Sequence, residues 1–324
     1  VNSSETILIT GGAGFIGSNL CSYAIQKGYS VICLDNLLTG KKSNLTEIIN
    51  HPKFSFVEGD IRDFDTCLEV SKSVSAISHQ AALGSVPRSI ESPIPTNEIN
   101  CQGFLNMITA ARDNGVKRFV YASSSSVYGD SKLSPKREED LGKPMSPYAV
   151  SKLTNELYGK VFFDLYGIET IGLRYFNVFG KNQDPNGAYA AAIPKFIDIC
   201  KSGNSPTIYG DGSQTRDFTY IKNVLHINGL ALNTKNSNSF GESYNVACGN
   251  SYSLLEVVAA IRSELSLVGF DQMNEQINFE NVRKGDILNS LADISKAKND
   301  LNYEVQMDFY QGIREYIQTC HAKL

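Results

Sequence analysis

The sequence predicts an α/β protein with a doubly wound parallel sheet and a smaller, mixed α/β C-terminal lobe. Three observations carry this reading. Short apolar runs alternate with helical runs through the first half of the chain, and the first of those runs leads straight into a glycine-spaced turn. After Phe179 the alternation gives way to polar segments containing Gly and Pro. Strands alternating with helices imply parallel βαβ units, and right-handed crossovers then wind the sheet on both faces.

Taken in order, Thr6–Thr10 (TILIT) reads as a buried strand, followed by a helix over Phe15–Lys27. Tyr29–Leu34, Phe54–Glu58, Val74–His79, Arg118–Ala122 and Ile168–Leu173 supply five more strands, with helical stretches between them. Ser253–Leu265 and Asp308–Cys320 read as helices of the second lobe. The expected division is residues 1–175 for the first domain and 176–324 for the second, with some segments packing back on the first.

The chain has 324 residues, 42% of them hydrophobic and 20% charged, with a formal net charge of −4. That balance offers no basic face for nucleic acid or an anionic membrane, so neither is an expected partner. An anionic substrate would need a few placed arginines. The seven cysteines are scattered singly, with no CxxC and no nearby His pair, so reduced thiols are expected rather than disulfides or a metal site. No run approaches the roughly 18 apolar residues of a membrane span. The first residues lack the basic-then-apolar build of a signal peptide, and a cytoplasmic setting is expected.

The turn Thr10-Gly-Gly-Ala-Gly-Phe-Ile-Gly17 places Gly11, Gly14 and Gly17 between a strand and a helix. A tight turn needs free backbone dihedrals, and a pyrophosphate needs backbone unobstructed by side chains. The helix N-terminus then offers N–H groups and partial positive charge to the phosphates. Asp35 ends the next strand, where a carboxylate accepts hydrogen bonds from ribose hydroxyls and repels a 2′-phosphate. The expectation is a Rossmann-type domain that binds NAD rather than NADP.

Tyr148 and Lys152 lie four apart in Pro147-Tyr-Ala-Val-Ser-Lys152, on one face of a helix. Upstream, Ser123–Ser126 follow the fifth strand directly, at the sheet edge where open α/β folds bind ligands. A phenol with an ordinary pKa of about 10 is a poor base at neutral pH. A nearby ammonium and an oxidised nicotinamide both favour its phenolate, and Ser124 can hold a substrate hydroxyl against that oxygen.

GxxGxxG, the strand-end serines and YxxxK in this order resemble the extended short-chain dehydrogenase/reductase superfamily, and the likeness covers nearly the whole chain. Finer stretches narrow it: QAALGSVPRS (80–89), SPYAVSK (146–152), LRYFNVFG (173–180), QDPNGAYAA (183–191), GDGSQTRDFTYI (210–221) and RKGDILNSLADISKA (283–297). They are similar to the sugar-nucleotide 4-epimerases, most of all the bacterial branch acting on UDP-N-acetylglucosamine and UDP-N-acetylgalactosamine.

The resemblance implies that Ser124, Tyr148 and Lys152 form a catalytic trio. Tyr148 would take the proton from sugar O4 while the C4 hydride passes to a tightly held NAD; the 4-keto sugar would then rotate and take the hydride back. Ser125 and Ser126 stand where related dehydratases carry an acidic pair, which argues against dehydration. The likeness assigns the cofactor to Gly11, Gly14, Phe15, Ile16, Gly17, Asp35, Asn36, Gly40, Asp60, Ile61, Gln80, Ala81, Ala82 and Asn100. Tyr148, Lys152, Tyr175 and Val178 complete that set.

On the substrate side it assigns Asn177, Arg216 and Arg283 to the diphosphate, Asp286 to a ribose hydroxyl and Tyr209 to the uracil. Arginine suits phosphate because its planar fork donates two hydrogen bonds. Around the sugar it places Gly84, Ser85, Val86, Ser124, Ser125, Gln183, Ala191 and Ser290. Small residues at Gly84, Ser85, Ala191 and the gating position Ser290 leave room for a 2-acetamido group, and Gln183 could hydrogen-bond it. A uronate substrate is the alternative, with Arg88 as the cation for its carboxylate; a non-catalytic dinucleotide sensor is a more distant one. The resemblance also implies a homodimer through the helix 97–114 and the Tyr148 helix, where Leu105, Ile108 and Leu157 are apolar residues that serve equally as dimer surface or as core.

Overall fold

The computed structural model describes residues 5–186, 191–270, 273–282 and 289–321. The main sheet begins with six strands: β1 (Thr6–Thr10), β2 (Ser30–Asp35), β3 (Phe54–Glu58), β4 (Ala76–His79), β5 (Arg118–Ser124) and β6 (Glu169–Tyr175). Six helices lie among them: α1 (Phe15–Gln26), α2 (Phe64–Val70), α3 (Val86–Glu91), α4 (Pro93–Asn97), α5 (Gly103–Asp113) and α6 (Pro147–Tyr166). Short strands β7 (Val178–Phe179), β8 (Thr207–Tyr209), β9 (Thr215–Arg216) and β10 (Thr219–Tyr220) follow, with α7 (Ala192–Lys201) and α8 (Ile221–Asn233). The chain continues through β11 (Glu242–Val246), β12 (Tyr252–Ser253), α9 (Leu254–Leu267), β13 (Asn278–Glu280), β14 (Asn289–Ser290), α10 (Ser295–Leu301) and α11 (Phe309–His321).

Seven strands form one parallel sheet in the order β11-β6-β5-β4-β1-β2-β3. The order reverses beside β1, and this crevice at the strands' carboxyl ends is where such sheets bind ligands. Strands β1, β4 and β5 are buried almost throughout because helices cover both faces, which is why they read as continuous apolar runs. Two apolar clusters lie on the two faces. The larger joins Ile7, Val31 and Val120 to the C-terminal half, and the smaller joins Leu8, Ile77 and Phe119 to α5.

The chain crosses back after residue 176. Strand β11 pairs in parallel with β6, and α8 packs on α1 and β5, so the sheet itself is completed from the second half. The remaining short strands form separate two- and three-stranded sheets that build the smaller lobe.

One expectation holds with a refinement and another needs correction. The helix foreseen over 97–114 runs without interruption, but its first turn is π-helical: α4 continues through a wide π-type turn over Glu98–Gln102 into α5. That turn swings Asn100 inward. Ile108 is fully buried in the core and Leu105 half-buried against it, so neither offers a dimer face. Exposed apolar surface lies instead on α6, at Val150, Leu157, Val161 and Leu165.

Gly11 has φ of +66°, and a Cβ there would lie 2.7 Å from the backbone N and Cα of Ala81. Left-handed backbone alone costs a residue with a Cβ about 1–2 kcal/mol. Gly11→Ala is therefore expected to lower stability by at least that amount in thermal unfolding and to yield protein with little bound dinucleotide. Wild-type unfolding temperature and full cofactor content would contradict the packing described.

Candidate active site

At the crevice, Gly11 donates its N–H to Leu34 O at 2.8 Å, and Gly14 caps α1 in an extended conformation. A Cβ on Gly17 would sit 2.1 Å from Gly11 O, so turn and helix can close only on glycine. The turn brings Gly11, Gly14, Phe15, Ile16 and Gly17 to one wall of a cleft of about 340 Å³. Asp35 enters at the end of β2. Its carboxylate accepts from Ala13 N at 2.9 Å and from Leu37 N at 2.8 Å, tying the acid to the glycine turn. Gly40 packs against the same carboxylate.

Asn36, Ile61, Gln80, Ala81 and Ala82 continue the wall, and Ser124, Tyr148, Lys152 and Tyr175 close its far end. Asp60 sits at the rim. It accepts from Asn36 and Arg62, and the Arg62 guanidinium holds its carboxyl down at about 2. Gln80 is fixed from behind: Tyr175 donates to it at 3.1 Å, while Asn228 donates to the Tyr175 hydroxyl at 2.9 Å.

Two residues expected at the cofactor lie elsewhere. Asn100 is 1% exposed; it accepts from Leu83 N at 2.8 Å and donates to Leu83 O and Ser151. It therefore braces the loop after β4 against α6 and does not line the cleft. Val178 lies in β7 and faces the second cavity described below.

Helix α6 starts cleanly because Ser146 caps it, accepting from Ala149 N, and Pro147 takes the first position, where no N–H is needed. Tyr148 and Lys152 thus share the face turned to β5. Lys152 is 2% exposed and donates to Ala122 O at 2.8 Å. Burial pulls its ammonium down to about 8, although Cys101 and Glu156 work the other way. Tyr148 hydrogen-bonds Ser124, and Ser124 Oγ also accepts from Ser126 N at 3.2 Å.

The expected depression of the Tyr148 phenol by Lys152 is not found in the protein's own groups. Burial raises the phenol above its ordinary value and only the Ser124 hydrogen bond lowers it. The ammonium stands 6.0 Å from the ring centroid and is spent on a carbonyl. An oxidised nicotinamide ring in the cleft would add a positive charge that favours the phenolate.

A second cavity, of about 1040 Å³, is lined by Ser85, Val86, Asn177, Val178, Ala191, Tyr209 and Arg216. All of these except Val178 belong to the expected substrate set, and they are drawn together from both halves of the chain. Asn177 has φ of +34° and donates to Asp217 O at 3.0 Å. Asp217 in turn accepts from Cys248 N and Gly249 N at 3.0 Å each, anchoring the turn beside Arg216. Ser85 has φ of +123°, a strained conformation for a residue with a Cβ, and strain of this kind gathers at ligand sites.

Gly84 lies between the cofactor cleft and a third cavity that Arg88, Gln183 and Ala191 also line; a Cβ on Gly84 would meet open space. Ser125 follows Ser124 in a short helical turn. Ser290 is buried as the strand partner of Arg216 and does not line the second cavity. Arg283 and Asp286 lie outside the described residues. Lys195 and Gln214, which sequence reasoning passed over, also line the second cavity. Lys195 shares α7 with Asp198 and Lys201, and Gln214 stands in a polar turn, so neither stood out in the sequence.

Comparison with known proteins shows the family to which the chain belongs. Residues 7–247 match the NAD dependent epimerase/dehydratase family. UDP-glucose 4-epimerase of Mycolicibacterium smegmatis is 33% identical over 318 residues, covering 98% of each chain. UDP-N-acetylglucosamine 4-epimerase from Methanobrevibacter ruminantium M1, solved with UDP-N-acetylmuramic acid, is 36% identical with a TM-score of 0.92, covering 99% of each chain. UDP-glucuronic acid 4-epimerase from Bacillus cereus, solved with UDP-glucuronic acid and NAD, is 30% identical with a TM-score of 0.87, covering 97% of this chain and 99% of that one. The glycine turn and the Asp35 carboxylate fit NAD, and the chain belongs to the NAD dependent epimerase/dehydratase family as a UDP-sugar 4-epimerase relative.

Proposed function

We propose that this protein interconverts UDP-N-acetylglucosamine and UDP-N-acetylgalactosamine at C4. One observation carries the reading: the cleft that fits NAD ends at Ser124, Tyr148 and Lys152, beside small residues, while Asn177, Tyr209 and Arg216 line a neighbouring cavity. Gly84 and Ala191 give the sugar end room for a 2-acetamido group, and Gln183 has a buried Oε1 without a partner that can accept its N–H. The likeness to the Methanobrevibacter enzyme supports the same substrate class.

NAD, held along the glycine turn and Asp35, would supply reversible hydride acceptance at C4. Tyr148 takes the O4 proton during oxidation and gives it back during reduction, with Ser124 holding the hydroxyl in line. Lys152 stays seated on Ala122 O and keeps positive charge at the back of the cleft. Arg216 neutralises the diphosphate, so the hexose can turn over while its nucleotide stays anchored. The residues following Ser124 are Ser125 and Ser126, neither of which can donate a proton to a departing hydroxyl as a carboxylic acid would.

The uronate reading has one observation in its favour: Arg88 lines the cavity next to Gly84, where a sugar carboxylate could reach it. The likeness to the Bacillus cereus enzyme supports it too. A homodimer through the exposed face of α6 belongs to the same proposal, as does a cytoplasmic setting. All seven cysteines are free thiols, and among the described residues no helix is long and apolar enough to cross a membrane.

Incubation of the purified protein with UDP-N-acetylglucosamine and no added NAD is expected to produce the C4 epimer, at higher kcat/KM than UDP-glucose or UDP-glucuronate. Faster turnover of the uronate would overturn the substrate assignment. Tyr148→Phe is expected to lower kcat by about 10²–10⁴-fold while cofactor content stays at wild-type level. Wild-type rates in that variant would remove Tyr148 from proton transfer.

A further inference from the structure

Behind the catalytic trio lies a buried ion pair that no step above uses. Glu156 is 8% and Arg174 4% exposed. Arg174 Nε donates to Glu156 Oε1 at 2.9 Å and Nη2 to Oε2 at 2.8 Å, a two-bond fork. Arg174 Nη1 also donates to the Tyr128 hydroxyl at 3.0 Å and to Glu138 O at 2.8 Å. Tyr128 donates onward to Asn245 at 2.6 Å, so β5, β6, β11 and α6 meet at this point.

The placement of Glu156 matters more than its charge. Tyr148, Lys152 and Glu156 occupy successive turns of α6 and share one face. Each engages a different residue at the end of β5: Tyr148 bonds Ser124, Lys152 donates to Ala122 O, and Ser123 Oγ donates to Glu156. Ser123 is also the register partner of Arg174 on β6. The carboxylate thus ties helix and strand together one residue from the catalytic hydroxyl. Buried ion pairs add little net stability over apolar packing but can specify geometry.

We propose that Glu156 is a positioning residue for proton transfer: held by Arg174 and Ser123, it fixes α6 on β5 and so sets the Tyr148 phenol against Ser124. The proposal rests on the reading of Tyr148 as the proton carrier. The titratable neighbours are few. Ser124 and Lys152 face Tyr148, while Lys152 is faced by Cys101 from the turn before α5, His79 from β4 and Glu156 from α6. Glu156 itself faces Arg174 and Tyr121.

The fold supplies its own control. Arg118 and Glu169 form a second ion pair at the opposite end of the same two strands, with Nε and Nη2 both donating to Oε2 at 3.1 and 2.7 Å and Glu169 partly exposed, far from the cleft. In NAD-loaded protein, Glu156→Gln, Glu156→Asp and Glu169→Gln are compared by two readouts. One is kcat and KM for UDP-N-acetylglucosamine. The other is the pH titration of Tyr148 by NMR of ζ-carbon-labelled tyrosine, assigned by its loss in Tyr148→Phe.

Glu156→Gln is expected to lower kcat about 10–100-fold, leave KM within about threefold and displace the Tyr148 titration. Glu156→Asp should fall between it and wild type, and Glu169→Gln should move neither readout. Equal losses in Glu156→Gln and Glu169→Gln, or an unmoved Tyr148 titration in Glu156→Gln, would overturn the proposal. Should Glu156→Gln fail to fold, Glu156→Asp carries both readouts. The titration needs no sugar, so a wild-type protein inactive on UDP-hexoses would overturn the function while the titration still decides the role of Glu156.

Discussion

Where β1 ends, Gly11 presses against the backbone of Ala81 closely enough that a Cβ would lie 2.7 Å away, and Gly17 meets the Gly11 carbonyl more closely still. This double approach lets the chain turn sharply between two central strands and start α1 at the cleft wall. Asp35 then bonds Ala13 N and Leu37 N, locking the end of β2 onto the turn. Because the strands run parallel, the same sheet edge receives the ends of β4, β5 and β6, which bring Gln80, Ser124 and Tyr175 to the same cleft. A cofactor gripped along that edge would lie beside the Ser124 and Tyr148 hydroxyls, to which the proposed function gives the proton.

The catalytic end divides its work between protein and cofactor. Burial raises the Tyr148 phenol above its ordinary value and draws the Lys152 ammonium down to about 8. The nicotinamide charge can correct this, linking readiness for proton transfer to the oxidised cofactor. The second cavity is separate. Asn177, Tyr209 and Arg216 line it from short strands and turns, and Asp217 braces the turn beside Arg216; under the proposed function they would anchor the nucleotide while the sugar moves.

Legibility followed the physics. Strands β1 and β3 and the start of α1 stood out residue by residue, because apolar runs beside glycine permit few alternatives. Ser124, Tyr148 and Lys152 were readable because their spacing makes sense only on one helix face opposite one strand end. The return of β11 to the sheet was not readable in detail, since partner choice depends on distant residues. The π-type turn at Glu98–Gln102 was also hidden, since an apolar pattern does not separate it from α-helix, and Ile108 looked equally suited to surface or core. Glu156 and Arg174 were passed over because a charge within an apolar pattern looks like a solvated one until both partners are seen buried together. The Lys152 effect on Tyr148 was misjudged because spacing shows that two residues share a face but not where the ammonium is spent.

The central claim is that one hydride leaves C4, stays on the held cofactor and returns to the same carbon. UDP-N-acetylglucosamine deuterated at C4, incubated with the protein in ordinary water without added NAD, tests it most directly. Full retention of deuterium at C4 of the UDP-N-acetylgalactosamine formed is expected. Washout of the label to solvent, or formation of the epimer only when free NAD is supplied, would contradict it.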